Sequence, residues 1–379
     1  MGNVLKFSLP TSASNKYDRI FKTTNNDVIG LIADGKLGGG FLATVYSAQL
    51  IYSLTRPHMV GTAIAIKQQD IQTSQEAITK LRIEKNILAK VDDLVLPYLE
   101  HDPNDVQRKY LFLRLYNGHN LFDCIRNHSL SLVDKLQIAE QITHELAKLH
   151  AKNILHLDLH CRNVMVKFID TGAAREVKCK IIDFGASRQL INNSTTVKIY
   201  DYMQDAPFEV YHSIAGKYTD VYCLGLCLAE MFLDIFWQPG PEFKQRREAY
   251  LNASGMGELV ADRKAVAFAD IPIPASYNPE DAKKISKMQT IICNMLQPDY
   301  NLRPSIEQCI AMFESDNAII DCFLVQNIEN FQPQNTQQLL MYEFHKKNHF
   351  GSFKPTTINE FGYTPLTKAV DDNDLPMVQ

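Results

Sequence analysis

The stretch His156-Leu157-Asp158-Leu159-His160-Cys161-Arg162-Asn163, answered further on by Ile182-Asp183-Phe184-Gly185, decides the fold of this chain. An aspartate and an asparagine within one short turn set a carboxylate and a carboxamide side by side. A second aspartate ahead of a Phe-Gly turn adds another hard oxygen. Such donors suit a magnesium-like cation that takes one or two protein oxygens and completes its shell with phosphate. Upstream, Ile64-Ala65-Ile66-Lys67 alternates small and branched residues as a strand does and ends on an ammonium. Earlier still, Leu37-Gly38-Gly39-Gly40-Phe41-Leu42-Ala43-Thr44-Val45-Tyr46 reads as strand, glycine turn, strand. Glycines there let backbone N–H groups approach an anion with no Cβ in the way.

In this order the motifs resemble the eukaryotic-type protein kinase superfamily, from about Leu31 to about Phe313. The resemblance implies an α+β, bilobal fold: a small antiparallel-sheet N-lobe with one main helix, then a mostly helical C-lobe. It implies phosphoryl transfer from ATP, in which positioning and electrostatics carry most of the catalysis. Asp158 is then the catalytic base, and Asn163 with Asp183 hold Mg2+, with Mn2+ as the alternative ion. Lys67 holds the α- and β-phosphates. Glu84, on the helical pattern Leu81 to Val91, is the expected partner of Lys67; Glu76 is the rival, close to the helix start. Gly38 and Gly40 occupy the first two places of the phosphate loop and Ala43 the third, where the family has glycine. The ATP site is expected to comprise Gly38, Gly39, Gly40, Val45, Ala65, Lys67, Leu113, Leu115, Asn163 and Asp183. Leu113 takes the gatekeeper place, and Arg114 to Tyr116 offer backbone groups to adenine.

Further motifs follow in family order. Leu132 to His150 is an amphipathic helix delivering the catalytic loop. Pro207-Phe208-Glu209 resembles the end of an activation segment, Asp220-Val221-Tyr222-Cys223-Leu224-Gly225 the start of a buried central helix, and Leu302-Arg303-Pro304-Ser305 the closing signature, so that Glu209 and Arg303 are expected to pair.

Two departures bear on function. Leu157 stands where many kinases carry an arginine that pairs with a phosphorylated activation segment, so dependence on such phosphorylation is not expected. His160 stands where serine/threonine kinases place a lysine that reaches the γ-phosphate, and it is kept as a catalytic candidate; Arg162 matches the last residue of the tyrosine-kinase A-A-R run. The string Asp158-x-His160-x-x-Asn163 is also similar to phosphoinositide kinases and to small-molecule kinases of the aminoglycoside and choline type. A protein substrate is favoured by the glycine loop, Pro-Phe-Glu, the Asp220 helix and Arg303-Pro304, with a lipid or a small alcohol as alternatives. A nucleotide-binding pseudokinase scaffold is the non-enzymatic reading, and the intact set of Lys67, Asp158, Asn163 and Asp183 weighs against it.

With 379 residues and a formal net charge of -4, the chain can bury a sizeable core and has no basic face of the kind that binds nucleic acid. Eight cysteines without a Cys-x-x-Cys pair read as reduced thiols of a cytosolic protein. The N-terminus has no apolar run for a signal peptide, and no transmembrane segment is expected. Met1-Gly2-Asn3 opens like a myristoylation site, but Lys6 sits where Ser or Thr is wanted. The expected organisation is a leader at 1–27, N-lobe and hinge at 28–118, C-lobe at 119–313, a helical extension at 314–359 and the start of an ankyrin repeat at 360–379. Gly362-Tyr363-Thr364-Pro365-Leu366-Thr367-Lys368-Ala369-Val370 resembles the T-P-L-H-x-A opening of that repeat, and a chance T-P-L turn is the alternative. The pattern breaks off inside the repeat, as in a piece of a longer protein whose array binds a protein partner. A kinase domain joined to ankyrin repeats resembles a eukaryotic protein or an effector of an intracellular bacterium. The expected location is cytoplasmic, or the host cytosol for an effector.

Overall fold

A computed structural model describes residues 16–23, 27–39, 43–70, 75–91, 99–102, 105–127, 130–170, 172, 175–192, 194–199, 207–211, 213–233, 277–297 and 300–314. The ankyrin-like stretch at 360–379 and the extension after residue 314 lie outside them. The chain divides into two compact units, residues 1–117 with 183–187, and residues 118–182 with 188–379.

The first unit is built on an antiparallel sheet in the order β1-β2-β3-β4-β6-β5. Its strands are β1 Tyr17–Lys22, β2 Val28–Gly39, β3 Ala43–Tyr52, β4 Ala63–Asp70, β5 Leu99–Asp102 and β6 Asp105–Arg114. Side chains alternate across a strand, and the two faces have different tasks. Ile64, Ile66, Tyr110 and Phe112 share one face with Ala48, and together with Phe21, Ile29 and Leu50 they form the core cluster of the unit. Phe21 lies 4.8 Å from the Tyr110 ring and 5.7 Å from Phe112, so the sheet curls until β1 meets β6. Helix α1, Gln75–Val91, packs on the opposite face and buries Leu81, Ile87 and Leu88. The leader at 1–27 therefore supplies a strand to this sheet.

Among its described residues the second unit is mostly helical. Its elements are β7 His119–Asn120, α2 Leu121–Asn127, α3 Leu132–Ala151, β8 Ile154–Leu155, β9 Val164–Asp170, β10 Arg175–Ile181, β11 Arg188–Gln189, β12 Thr196–Lys198, α4 Phe208–Tyr211, β13 Ile214–Gly216, α5 Lys217–Leu233, α6 Pro279–Met295 and α7 Ile306–Glu314. Helix α3 starts on a capping box, with the Ser131 hydroxyl accepting from Asp134 N and the Asp134 carboxylate accepting from Ser131 N. Two orphan donors are satisfied reciprocally. Ile138, Ile142, Leu146 and Leu149 form its buried stripe, and Asn153 ends it in the left-handed region at φ 56°, a cap that asparagine tolerates. Helix α5 is apolar almost all round and buries Val221, Tyr222, Leu224, Leu228 and Ala229, as a central helix must. A Cβ on Gly225 would come within 2.8 Å of Met295 Cβ, so glycine is what lets α5 and α6 approach. No described helix is long and apolar enough to cross a membrane.

Candidate active site

Cross-strand register brings the expected nucleotide residues of the first unit together. Gly38 pairs with Val45, Val45 with Lys67, and Ala65 with Leu113. Directly opposed residues point to the same face, so Gly38, Val45, Ala65, Lys67 and Leu113 line the α1 side of the sheet. Gly39 closes β2, Leu115 follows β6, and Gly40 lies outside the described residues.

The Lys67 ammonium sits between two carboxylates, 3.0 Å from Glu84 Oε2 and 2.8 Å from Asp183 Oδ1. Glu84 is thus the partner from α1; the Glu76 side chain is outside the described set. Burial pulls the Lys67 pKa down, but Glu84 and Asp183 together outweigh it and leave the ammonium above its ordinary value. Burial, aided by the Asp183 charge, pushes the Glu84 carboxyl up against the pull of Lys67. Two carboxylates share one cation here, so the cluster holds surplus negative charge. Asp183 has a left-handed backbone, φ 64°, and its Oδ1 also accepts from Gly185 N at 3.3 Å. A divalent cation fits beside it, since magnesium is held by one or two protein oxygens and substrate phosphate. Among the described residues no group of three or more His, Cys, Asp or Glu would hold a metal by itself.

In the second unit Asn163 Nδ2 donates to the Asp158 carbonyl at 2.8 Å and to Asp158 Oδ2 at 3.2 Å. Facing its nitrogen to Asp158 turns the amide oxygen the other way. His160 Nδ1 accepts from Arg162 N at 3.2 Å, so the imidazole caps the turn Cys161–Asn163. In the neutral ring the proton then belongs on Nε2, which lies 3.8 Å from Asp158 Oδ1. Both Asn163 amide hydrogens are directed at Asp158, so its 3.2 Å approach to His160 Nε2 is a contact rather than a further donated bond.

The loop hangs from Asp220, whose positioning role the motif reading did not recognise. Its Oδ1 accepts from Leu157 N at 2.8 Å, and its Oδ2 from His156 N at 2.8 Å and His150 Nε2 at 3.0 Å. These bonds hold Leu157 at φ 61°, a conformation that costs of order 1–3 kcal/mol for a residue with a Cβ. His156 Nε2 donates to the Ile182 carbonyl at 3.0 Å, while its Nδ1 accepts from Asp158 N at 3.3 Å. The available signal was an acid at the head of an otherwise apolar helix, where burial demands donors. Leu157 itself is 2% exposed. The activation segment is tied by the β12–β13 ladder and by Ile199 N donating to Ser213 O at 3.0 Å. Arg303 meets Glu209 through two buried contacts of 2.6 and 3.0 Å, and Thr219 Oγ1 donates to the same carboxylate at 3.0 Å.

A family model described as a protein kinase domain matches residues 32–313. Similar curated proteins include calcium-dependent protein kinase 5 of Plasmodium falciparum, 26% identical over 305 residues that cover 74% of this chain and 46% of the relative. Mitogen-activated protein kinase kinase kinase 1a of Physcomitrium patens is 24% identical over 264 residues, 66% of this chain and 30% of the relative. A serine/threonine-protein kinase of Arabidopsis thaliana is 26% identical over 121 residues, 30% of this chain and 26% of the relative. The chain spans less than half the length of each.

Proposed function

Because the chain belongs to the protein kinase domain family, we propose that it is an ATP- and Mg2+-dependent phosphotransferase acting on serine, threonine or tyrosine hydroxyls of proteins. The observation that carries this reading is the Lys67 ammonium held by both Glu84 and Asp183, a fixed cation with surplus carboxylate beside it. Lys67 would hold the α- and β-phosphates, and Asp183 and Asn163 are the residues that would hold the metal, whose charge would offset that on the transferring group. Asp158 orients the acceptor hydroxyl and takes its proton as the oxygen bonds to the γ-phosphorus and the bond to the β-phosphate oxygen breaks. His160, beside Asp158, contributes at the same site. The test offers protein, phosphoinositide and small-alcohol acceptors in parallel with labelled ATP, with and without chelator. Magnesium-dependent transfer to protein alone is the expected result; ATP binding with no transfer to any acceptor would overturn it.

Activity does not require phosphorylation of the activation segment. The residue before Asp158 is the buried Leu157, so the loop lacks the guanidinium that would pair with a phosphate there. The ladder and the Glu209–Arg303 pair supply order in its place. Phosphatase treatment, and combined replacement of Ser194, Thr195, Thr196, Tyr200 and Tyr202 by Ala or Phe, should each leave activity within tenfold. A larger loss in both would exceed about 1.4 kcal/mol of transition-state stabilisation and sink the idea; Tyr200 and Tyr202 lie outside the described residues. The proposed compartment is the cytoplasm, supported by the free thiols of the described cysteines. The ankyrin-like stretch is proposed as the start of a surface for a protein partner.

A further inference from the structure

The catalytic turn carries a cation that the reaction described above does not use. Arg162 lies between Cys161 and Asn163, exposed, with its guanidinium carbon 3.9 Å from the centre of the Phe122 ring. Arg126, one turn further along α2, stands 4.9 Å from the same ring. An aromatic face holds a guanidinium in place while leaving its in-plane N–H donors free to take a carboxylate in a forked pair. Among the described residues Arg162 has no carboxylate at ion-pairing distance. Both guanidinium groups thus lie within 4.9 Å of one ring. Their place is set relative to the chemistry, because Arg162 N binds the His160 ring whose other edge faces Asp158.

We infer that Arg162 selects protein substrates that carry an acidic side chain close to the acceptor hydroxyl, and repels those with a basic one there. The inference rests on the protein-kinase reading and adds the substrate class. A carboxylate-bearing peptide is the fitting occupant, since the same charge that attracts it disfavours the basic alternative.

The experiment is a positional-scanning serine/threonine peptide library in which each flanking position is fixed in turn as Glu, Ala or Lys, run on the full chain. The parent should favour Glu over Lys at one or more positions by at least tenfold in kcat/KM. The preference should shrink with added salt, as exposed charge pairs are screened. Arg162→Glu should reverse the ratio at those positions through the KM for peptide, and Arg162→Lys should keep part of it. A parent that is indifferent to charge or prefers Lys overturns the inference whatever the variants do. So does a ratio that Arg162→Glu leaves unchanged, or an effect confined to the KM for ATP. A parent that phosphorylates phosphoinositide vesicles and no peptide removes the protein-kinase reading and the inference together, whereas transfer to peptides without charge selection removes the inference alone.

Discussion

Lys67, Glu84 and Asp183 form a closed set of charges, whereas Asp158, His160 and Asn163 form an open one. In the first set the Lys67 and Glu84 side chains are 13% and 3% exposed and each balances the other. In the second, His160 and Asp158 are 49% and 46% exposed and owe their placement to backbone bonds made by Asp220 and by the turn itself. Charges buried against one another join chemistry to stability, because removing one strands the rest in a medium of low polarity. Side chains aimed by a backbone that other residues hold can be changed with little effect on the fold.

The strongest challenge to this contrast is Asp158→Asn. Transfer should fall by about 10²–10⁴, the usual share of a positioned acid or base, while the melting temperature and ATP affinity stay at parent values. Rate measurement beside calorimetry checks it, and a parent-like rate would remove Asp158 from its role. Lys67→Met comes next and should act on both properties. A lysine at a strand end, taken alone, would be expected to leave melting unchanged, but the two carboxylates at 3.0 and 2.8 Å reverse that expectation. We expect a loss of about 3 kcal/mol in chemical denaturation, the lower end for a broken buried pair because Asp183 is 42% exposed. Adding Glu84→Gln should restore part of the stability and none of the activity. The folded-state pKa of Lys67 is raised, so the parent's advantage is complete below the ordinary lysine value near 10.4 and declines only as pH rises past it. The smallest effect is expected at Glu145, which belongs to neither set. Burial raises its pKa, but bonds from Lys148 and Lys180 win and hold it low. Glu145→Gln should cost about 0.5–1 kcal/mol at neutral pH. A depressed acid loses its contribution as pH falls, so the gap should close below the usual glutamate value near 4.3.

Legibility in the sequence followed locality. Lys67, Asp158, Asn163 and Asp183 could be read because phosphate and metal chemistry restrict residue type within a few positions. Helix α3 could be read because its apolar period and the Ser131–Asp134 box are both local. Strand β1 was hidden by Asp18, Arg19 and Lys22, and its partners Tyr110 and Phe112 are remote in the chain. The β12–β13 ladder was hidden because Thr196–Lys198 has no apolar alternation and is held by main-chain bonds. The stacking of Arg162 on Phe122 joins a loop to a helix, and no periodicity reports such a contact.

The first strand has a practical corollary. The family match begins at residue 32, in the middle of β2, yet Phe21 and Ile29 help fill the interior of the sheet, and Arg19 donates to the Tyr110 hydroxyl at 2.8 Å. A shortened protein cut at that border would begin halfway along a ladder, leave Leu50 and Phe112 facing water and offer the raw flank of β3 to any passing strand. The smallest portion able to fold cleanly therefore starts near Lys16, upstream of where the family match begins.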